Sequence, residues 1–259
     1  MSAPPYDSSA HIAWCDPPWT ITGRSITAWF PIPRTVLEAS LPSHLRRAVG
    51  EDWARLRFYD ARFEAPGVAE GLPFAPRAGA FREAVVAFPA AAGGLAGDAT
   101  MFMWADGEAY TTWGREVYGW PVLRGELELD GGIWDSPLVA GARGSAALTA
   151  SAGSAAVAGL ELGERIESST SGGWWITPRR RLERAGLGGE REDVVAARPQ
   201  IVNHGRVYDA RGEVHLEFAA GHPLHGLAPD VDRVVLVDGF ELIVGGEVEI
   251  FKPSASAPD

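Results

Sequence analysis

Apolar and polar residues alternate along most of this chain with a period of two, the spacing of half-buried β-strands. Between Ala54 and Phe63, Leu56 and Phe58 are separated by Arg55, Arg57 and Tyr59, which predicts a strand with two unlike faces. The pattern is strand-like from Ile21 to the stop at Pro31 and Pro33, and Phe81–Phe88 and Thr100–Ala105 are apolar runs of strand length. Gly125–Leu129 and Ala146–Leu162 continue the alternation with small residues, which suits close sheet packing or a curved barrel wall. Two turn signals predict hairpins: Asp209-Ala210-Arg211-Gly212 between Val202–Tyr208 and Glu213–Phe218, and Asp238-Gly239 between Val234–Val237 and Phe240–Val244. Gly246–Phe251 is a closing strand. Helical signals are short: Thr35–Ser40, stopped by Pro42, and a second stretch over Ser43–Val49. Residues 178–199, with four arginines between Arg179 and Arg184 and several glycines, read as a solvated loop or insertion.

These elements predict a mainly β, α+β chain: one largely antiparallel domain over residues 19–253, an irregular arm at 1–18 and a tail at 254–259. With 259 residues the chain is long enough for a large core, and 31 glycines and 19 prolines fit a turn-rich β protein better than a helical bundle. The net charge of −11 argues against nucleic acid and against an anionic membrane surface as partners. No apolar run approaches the roughly 20 residues that span a bilayer, and the first residues lack a signal-peptide pattern, so a soluble cytoplasmic protein is expected. The basic residues are more informative. They comprise 22 arginines and a single lysine, Lys252. Chemistry that needs a lysine inside the fold has almost nothing to draw on.

Cys15 is the one cysteine, so an intramolecular disulfide or a thiolate zinc cluster is excluded. No phosphate-binding G-x-x-x-x-G-K-[ST] loop or G-x-S-x-G nucleophile elbow occurs, and Gly186, Gly188 and Gly189 follow no strand. His222 and His225 have a chelating spacing, but Pro223 makes their segment a loop and no third ligand is near, so loop packing is the simpler reading and no metal is expected. His204 falls on an expected strand and reads as a barrel histidine. No cofactor is indicated.

The most distinctive stretch is Gly114-Arg115-Glu116-Val117-Tyr118-Gly119-Trp120-Pro121, preceded by a strand and the acidic turn Asp106-Gly107. It resembles the G-R-E-x-x-G-[aromatic]-P-K hallmark of the acetoacetate decarboxylase family. Arg24 ahead of Leu41-Pro42, Gly79-Ala80-Phe81-Arg82-Glu83 and the ending from Asp232 to Phe251 resemble further elements of that family, so the likeness covers nearly the whole chain. It implies an antiparallel β-barrel or cone with a few short helices, a buried pocket and a homo-oligomer.

The sequence departs from the resemblance at one position. After Gly119-Trp120-Pro121 the family pattern calls for a Schiff-base lysine and commonly a second lysine; Val122 and Leu123 stand there. Such a lysine is activated by desolvation or by a neighbouring cation, and neither the amine nor its neighbour exists here. What the resemblance leaves is Glu83 as a proton shuttle, Arg24 as a fork for a carboxylate or enol oxygen, and Tyr59 as a phenol donor where relatives often place an acid. Val122, Leu123, Trp120, Trp104 and Trp113, with Arg115 and Glu116, then form the expected substrate-binding surroundings, apolar and aromatic. Plainer readings stand beside these: Arg24 bridged structurally to Glu83, Arg115 and Glu116 paired to lock a turn, and the tryptophans as core. The expected activity is acid–base catalysis without an imine, a cyclase or dehydratase acting on a hydrophobic carbonyl- or hydroxyl-bearing, polyketide-like intermediate of secondary metabolism. A non-catalytic binder of a hydrophobic metabolite and an imine-independent decarboxylase are the alternatives.

Overall fold

A computed structural model describes residues 19–42, 45–48, 52–64, 78–107, 110–111, 114, 120–167, 174–182 and 190–251, the backbone alone for 174–182, 190–197 and 245–251. The expected arm, the tail and residues 43–44 lie outside them. The described residues hold thirteen strands in one sheet and one α-helix of more than one turn.

The strands are β1 (Trp19–Pro31), β2 (Arg46–Arg47), β3 (Trp53–Glu64), β4 (Ala78–Ala92), β5 (Leu95–Ala105), β6 (Val122–Arg124) and β7 (Glu126–Gly131). They continue with β8 (Arg143–Ala150), β9 (Gly153–Ile166), β10 (Trp174–Leu182), β11 (Glu190–Asn203), β12 (Arg206–Phe218) and β13 (Arg233–Phe251); α1 is Arg34–Ser40. In space the order is β1-β3-β4-β5-β10-β11-β13, and β13 pairs back onto β1, which closes a barrel. From β13 the sheet also runs on through β12, β9, β8 and β7, a second layer that covers one side of the barrel wall. This is the barrel-like, mostly antiparallel architecture that the alternation predicts.

Folding back this way buries both faces of the shared wall. On β3, Leu56 and Phe58 face the layer between barrel and outer sheet, where they meet Phe30, Val86, Leu148 and Val157. Residues of the opposite parity, Ala61 and Phe63, face the barrel interior with Ile21, Phe81, Val85 and Trp120. Each fully buried large apolar side chain contributes about 1.5–3 kcal/mol, so the two clusters together supply the main driving force.

Two expected hairpins are instead continuous strands. Asp238-Gly239 lies inside β13: Gly23 pairs with Phe240 and Arg24 with Asp238, so Gly239, at φ 72°, is the extra residue of a β-bulge. Asp-Gly meets the need for a positive φ in a two-residue turn or in a bulge equally well. Here β1 on one edge and β12 then β11 on the other hold the strand extended. Asp209-Ala210-Arg211-Gly212 likewise stays within β12, with register shifts against β9 on either side of Ala210-Arg211. The reversal comes earlier, at Gly205 (φ 71°), which places His204 exposed in a turn and not in the barrel.

The expected solvated loop over 178–199 is largely the β10–β11 pair. In register Arg179 stands opposite Asp193, Arg180 opposite Glu192 and Arg181 opposite Arg191. Residues 183–189 lie outside the described set. In the Ser43–Val49 stretch the described part is not helical: Arg46–Arg47 form β2 against β4.

Gly23 shows how closely the barrel is drawn together. A Cβ there would lie 2.3 Å from the Asp60 carbonyl oxygen and 2.7 Å from the Ala61 Cα. Gly23→Ala is therefore expected to cost about 1–3 kcal/mol in urea unfolding, because backbone must shift to admit the methyl group.

Candidate active site

Strand register assembles the site. On the β3–β4 ladder Tyr59 is opposite Glu83, Arg57 opposite Val85 and Arg55 opposite Ala87, all directed into the barrel. Strand β5 adds Asp98, Thr100 and Met103. The resulting cavity is narrow and opens to solvent at its mouth. Ile21, Phe81, Met103, Trp120, Phe240 and Leu242 make most of its wall apolar.

Glu83 is 3% exposed. Burial pushes its carboxyl up to about 8, against the opposing pull of a Tyr110 hydrogen bond and the Arg57 charge. At neutral pH it is mainly protonated. Its Oε2 is buried without a hydrogen-bond partner among the described residues, as is Arg55 Nε on the same wall. Tyr110 sits on a short helical turn whose Thr111 N–H donates to the Gly107 carbonyl. Its ring stacks on Phe81 at 3.7 Å between centroids and 8° between planes, which fixes the phenol toward Glu83.

Arg57 donates from Nε to Thr27 Oγ1 (2.9 Å) and from Nη1 to the Tyr59 hydroxyl oxygen (2.8 Å). Burial works to lower the Arg57 pKa, but Tyr59, Asp98 and Glu83 outweigh it and the guanidinium is held more firmly charged. Burial raises the Tyr59 phenol, with Arg57 pulling the other way, so Tyr59 keeps its proton. Since its oxygen already accepts from Arg57, that proton is free to be donated into the cavity. Arg55 is paired with Asp98 beside them.

Several expected site residues lie elsewhere. Arg24 does not join Glu83. It has the parity of Ile26 and Ala28, and it donates to Asp238 Oδ1 from Nε (2.9 Å) and Nη2 (2.6 Å). Its Nη1 donates to the Ile133 and Asp135 carbonyls (3.0 Å each) and its Nη2 to Ser136 Oγ (3.1 Å). These bonds engage the whole guanidinium in tying the 133–136 loop to β13, on the wall face away from the cavity.

Trp104 is also on that face, stacked between Phe102 and Phe218. Val122 is fully buried among the barrel-interior residues but is not part of the cavity wall. Leu123 points outward and is 52% exposed, as the alternation of β6 requires once Val122 faces in. Leu123→Ser is accordingly expected to change stability by no more than about 0.5 kcal/mol and to leave ligand affinity unaltered, as read by thermal melting and calorimetry. Trp120 does line the cavity, edge-on to Trp19 at 6.3 Å. Trp113, Arg115 and Glu116 fall outside the described residues.

Glu83 and Tyr59 thus share a cavity, and Arg55, Arg57, Asp98 and Tyr110 join them without having been singled out from the sequence. For the two arginines a signal existed. They alternate with Leu56 and Phe58, so once both faces of β3 are buried they must point into an interior. Asp98 and Tyr110 carried none. Among the described residues no three His, Cys, Asp or Glu side chains gather as a metal site. His225 Nδ1 lies 2.7 Å from the Phe218 carbonyl and His222 Nδ1 accepts from the Leu224 N–H (3.2 Å), both within their own loop.

A closed β-barrel with a buried carboxyl, a charged arginine and two phenols around an apolar cavity has the makings of a small-molecule acid–base site. The chain belongs to the acetoacetate decarboxylase family, whose family model, described as Acetoacetate decarboxylase (ADC), matches residues 1–236. Among solved structures, the enduracididine biosynthesis enzyme MppR, complexed with the condensation product of pyruvate and imidazole 4-carboxaldehyde, is 16% identical. The match covers 96% of this chain and 94% of that one, with a TM-score of 0.76. An acetoacetate decarboxylase-like enzyme from Sphingomonas wittichii RW1 is 14% identical over 91% and 93% of the two chains (TM-score 0.74). Acetoacetate decarboxylase from Legionella pneumophila is 15% identical over 96% and 92% (TM-score 0.62). At these identities the likeness establishes the fold. No curated protein matches the chain. No described helix is long and apolar enough to cross a membrane.

Proposed function

We propose that this protein is a divergent member of its family that works by acid–base catalysis without a protein imine, as a dehydratase or cyclase on a hydrophobic oxygenated substrate. The observation that carries the reading is Glu83: a buried carboxyl with one unpartnered oxygen, on an apolar cavity that also holds a polarised phenol. The position after Trp120-Pro121 is valine, and the one lysine of the chain, Lys252, follows the end of β13. An amine at the usual place is therefore missing, while the proton-transfer groups are present.

In the proposed step, Glu83 in its ionised form takes a proton from the carbon next to a substrate carbonyl. The C–H electron pair becomes the enolate, whose oxygen Tyr59 stabilises by donating its hydroxyl proton, with Arg57 polarising that phenol. In dehydration the enolate re-forms the carbonyl as the β C–O bond breaks; the hydroxyl leaves with the proton that Glu83 returns, giving water and an enone. In cyclisation the α-carbon of the same enolate bonds to a second carbonyl carbon, whose C=O π pair becomes an alkoxide that takes the proton Glu83 returns. Phe81, Trp120 and Phe240 hold the hydrophobic body of the substrate. That one fold neighbour is a biosynthetic enzyme with a pyruvate condensation product bound supports a place in a biosynthetic pathway.

The test is incubation of the full chain in D₂O with 4-hydroxy-4-phenylbutan-2-one and with 4-hydroxy-2-oxo-4-phenylbutanoate, followed by NMR and enone absorbance. Enzyme-dependent deuterium uptake at the α-carbon, or enone formation, is the expected result. Return of both compounds unaltered overturns the reading in favour of a binding protein, and released carbon dioxide overturns it in favour of imine-independent decarboxylation. Borohydride treatment in the presence of the ketone is expected to leave the protein mass unchanged; a stable adduct at Lys252 would contradict the absence of an imine.

A further inference from the structure

Glu83 divides the cavity into unlike halves. On the β3–β4 ladder the inward pairs run Arg55 with Ala87, Arg57 with Val85, Tyr59 with Glu83 and Ala61 with Phe81. One side of the carboxyl therefore holds the arginines, with Asp98 and Thr100 from β5. The other side is aromatic: Tyr110 stacks on Phe81, and the Trp120 ring lies 5.9 Å from the Tyr110 ring. Phe81 and Tyr110 are 3% exposed and Trp120 4%, so this half is shut at these side chains. Trp120 is held firmly at its end. Trp19 meets its ring edge-on at 6.3 Å, and a Cβ built on Gly114 would lie 2.9 Å from its Cε3. That Cβ would also lie 3.3 Å from Val122 Cγ2, so the indole and the valine flank one glycine. Trp120 nonetheless lines the cavity and Val122 does not. The indole thus withholds from the cavity the space around the valine.

We propose that Trp120 is the length gauge of this cavity: its indole stops the apolar group that a substrate carries beyond the carbon at Glu83, and so selects compact groups there. The proposal deepens the acid–base reading, on which it rests for the place of the reacting carbon, by naming the residue that limits substrate size. With the carbonyl oxygen at Tyr59 and the α-carbon at Glu83, an apolar chain runs toward Phe81 and the indole. The opposite direction would strip water from the charged side chains of Arg55, Arg57 and Asp98 without replacing their hydrogen bonds. An indole packed against a second tryptophan and a glycine backbone cannot yield as a flexible side chain would, so the limit is a sharp one.

Calorimetry on the full chain at pH 7 with the methyl ketones from butan-2-one to nonan-2-one tests the gauge. Affinity is expected to rise about fourfold per methylene while the chain fills the space short of the indole, then to level or fall. Trp120→Ala is expected to weaken the shortest ketones, which lose a wall, and to move the break to longer ones by roughly three carbons. Trp120→Phe keeps a ring against Trp19 and is expected to move it by about one carbon; it decides the matter alone if the alanine variant does not fold. The two affinity series therefore cross. A barrel merely loosened by the substitution would weaken every ketone alike, and that outcome overturns the gauge. So do an even rise through nonan-2-one in wild type, failure of all the ketones to bind, and a break that stays in place in the variants. Binding of these ketones needs no proton transfer. Exchange of 4-hydroxy-4-phenylbutan-2-one beside an unmoved break sinks only the gauge, and a moved break without exchange sinks only the acid–base reading.

Discussion

Glu83→Gln is expected to lower kcat for α-proton exchange by about 10²–10⁴-fold, the usual worth of a positioned acid–base group. Glutamine has nearly the same shape and can still meet Tyr110, so affinity for 4-hydroxy-4-phenylbutan-2-one should be kept. Loss of kcat with intact binding separates a chemical role from a packing role. The pH dependence has a definite sign. Proton abstraction needs the ionised carboxylate, and burial holds the free enzyme's carboxyl near 8. Hence kcat/KM for exchange should climb about tenfold per pH unit below that value and level above it. Stability runs the other way. The unfolded carboxyl ionises near 4.5 and the folded one near 8, so between these values the folded state binds more protons. Stability from this group is fully present below about 4.5, declines as pH rises, and is lost above about 8. The melting temperature of Glu83→Gln should exceed that of wild type at pH 8, with the gap closing toward pH 4. Unchanged exchange in the variant would remove Glu83 from the mechanism.

Asp238→Ala should produce the largest loss of stability among single polar substitutions, about 3–5 kcal/mol in urea unfolding. Asp238 is buried and accepts from Arg24 through Oδ1 and from Arg206 through Oδ2 (2.6 Å). Its removal leaves the Arg24 guanidinium buried without its counter-ion, beside the carbonyls of the 133–136 loop. Arg206 has a half-exposed side chain, so Arg206→Ala should cost no more than about 1 kcal/mol. The contrast isolates burial as the cause. Folded Asp238→Ala should keep its α-proton exchange activity, because the Arg24–Asp238 pair lies across the wall from the cavity. A cost below about 1 kcal/mol, or loss of exchange activity in folded protein, would contradict the structural role given to Arg24.

The period-two pattern was legible because each strand has unlike neighbours along its length, and it places β1, β3, β4 and β5 close to where they form. Asp238-Gly239 and Asp209–Gly212 misled because a positive-φ glycine serves a turn and a bulge alike, and the choice depends on what pairs with the strand's two edges. The charge run at Arg179–Arg181 suggests a loop because its strand pairing, with Asp193 to Arg191, is set by the ladder and not by local pattern. The resemblance puts Val122 and Leu123 in the pocket as a pair, but adjacent strand residues face opposite ways.

By itself the sequence determined the strand-rich architecture, the valine after Trp120-Pro121 and the single lysine, since these depend on residue identity and local spacing. It also placed Glu83 and Tyr59 on strands where alternation directs each to one face. Only the tertiary structure decided which arginine attends them. A sheet that closes on itself and then covers its own outer wall has two buried faces, so burial of a polar residue does not say which interior it enters. Arg24 is buried and Arg57 half-buried. The fold hands one to Asp238 between the layers and leaves the other beside Tyr59, the residue opposite Glu83.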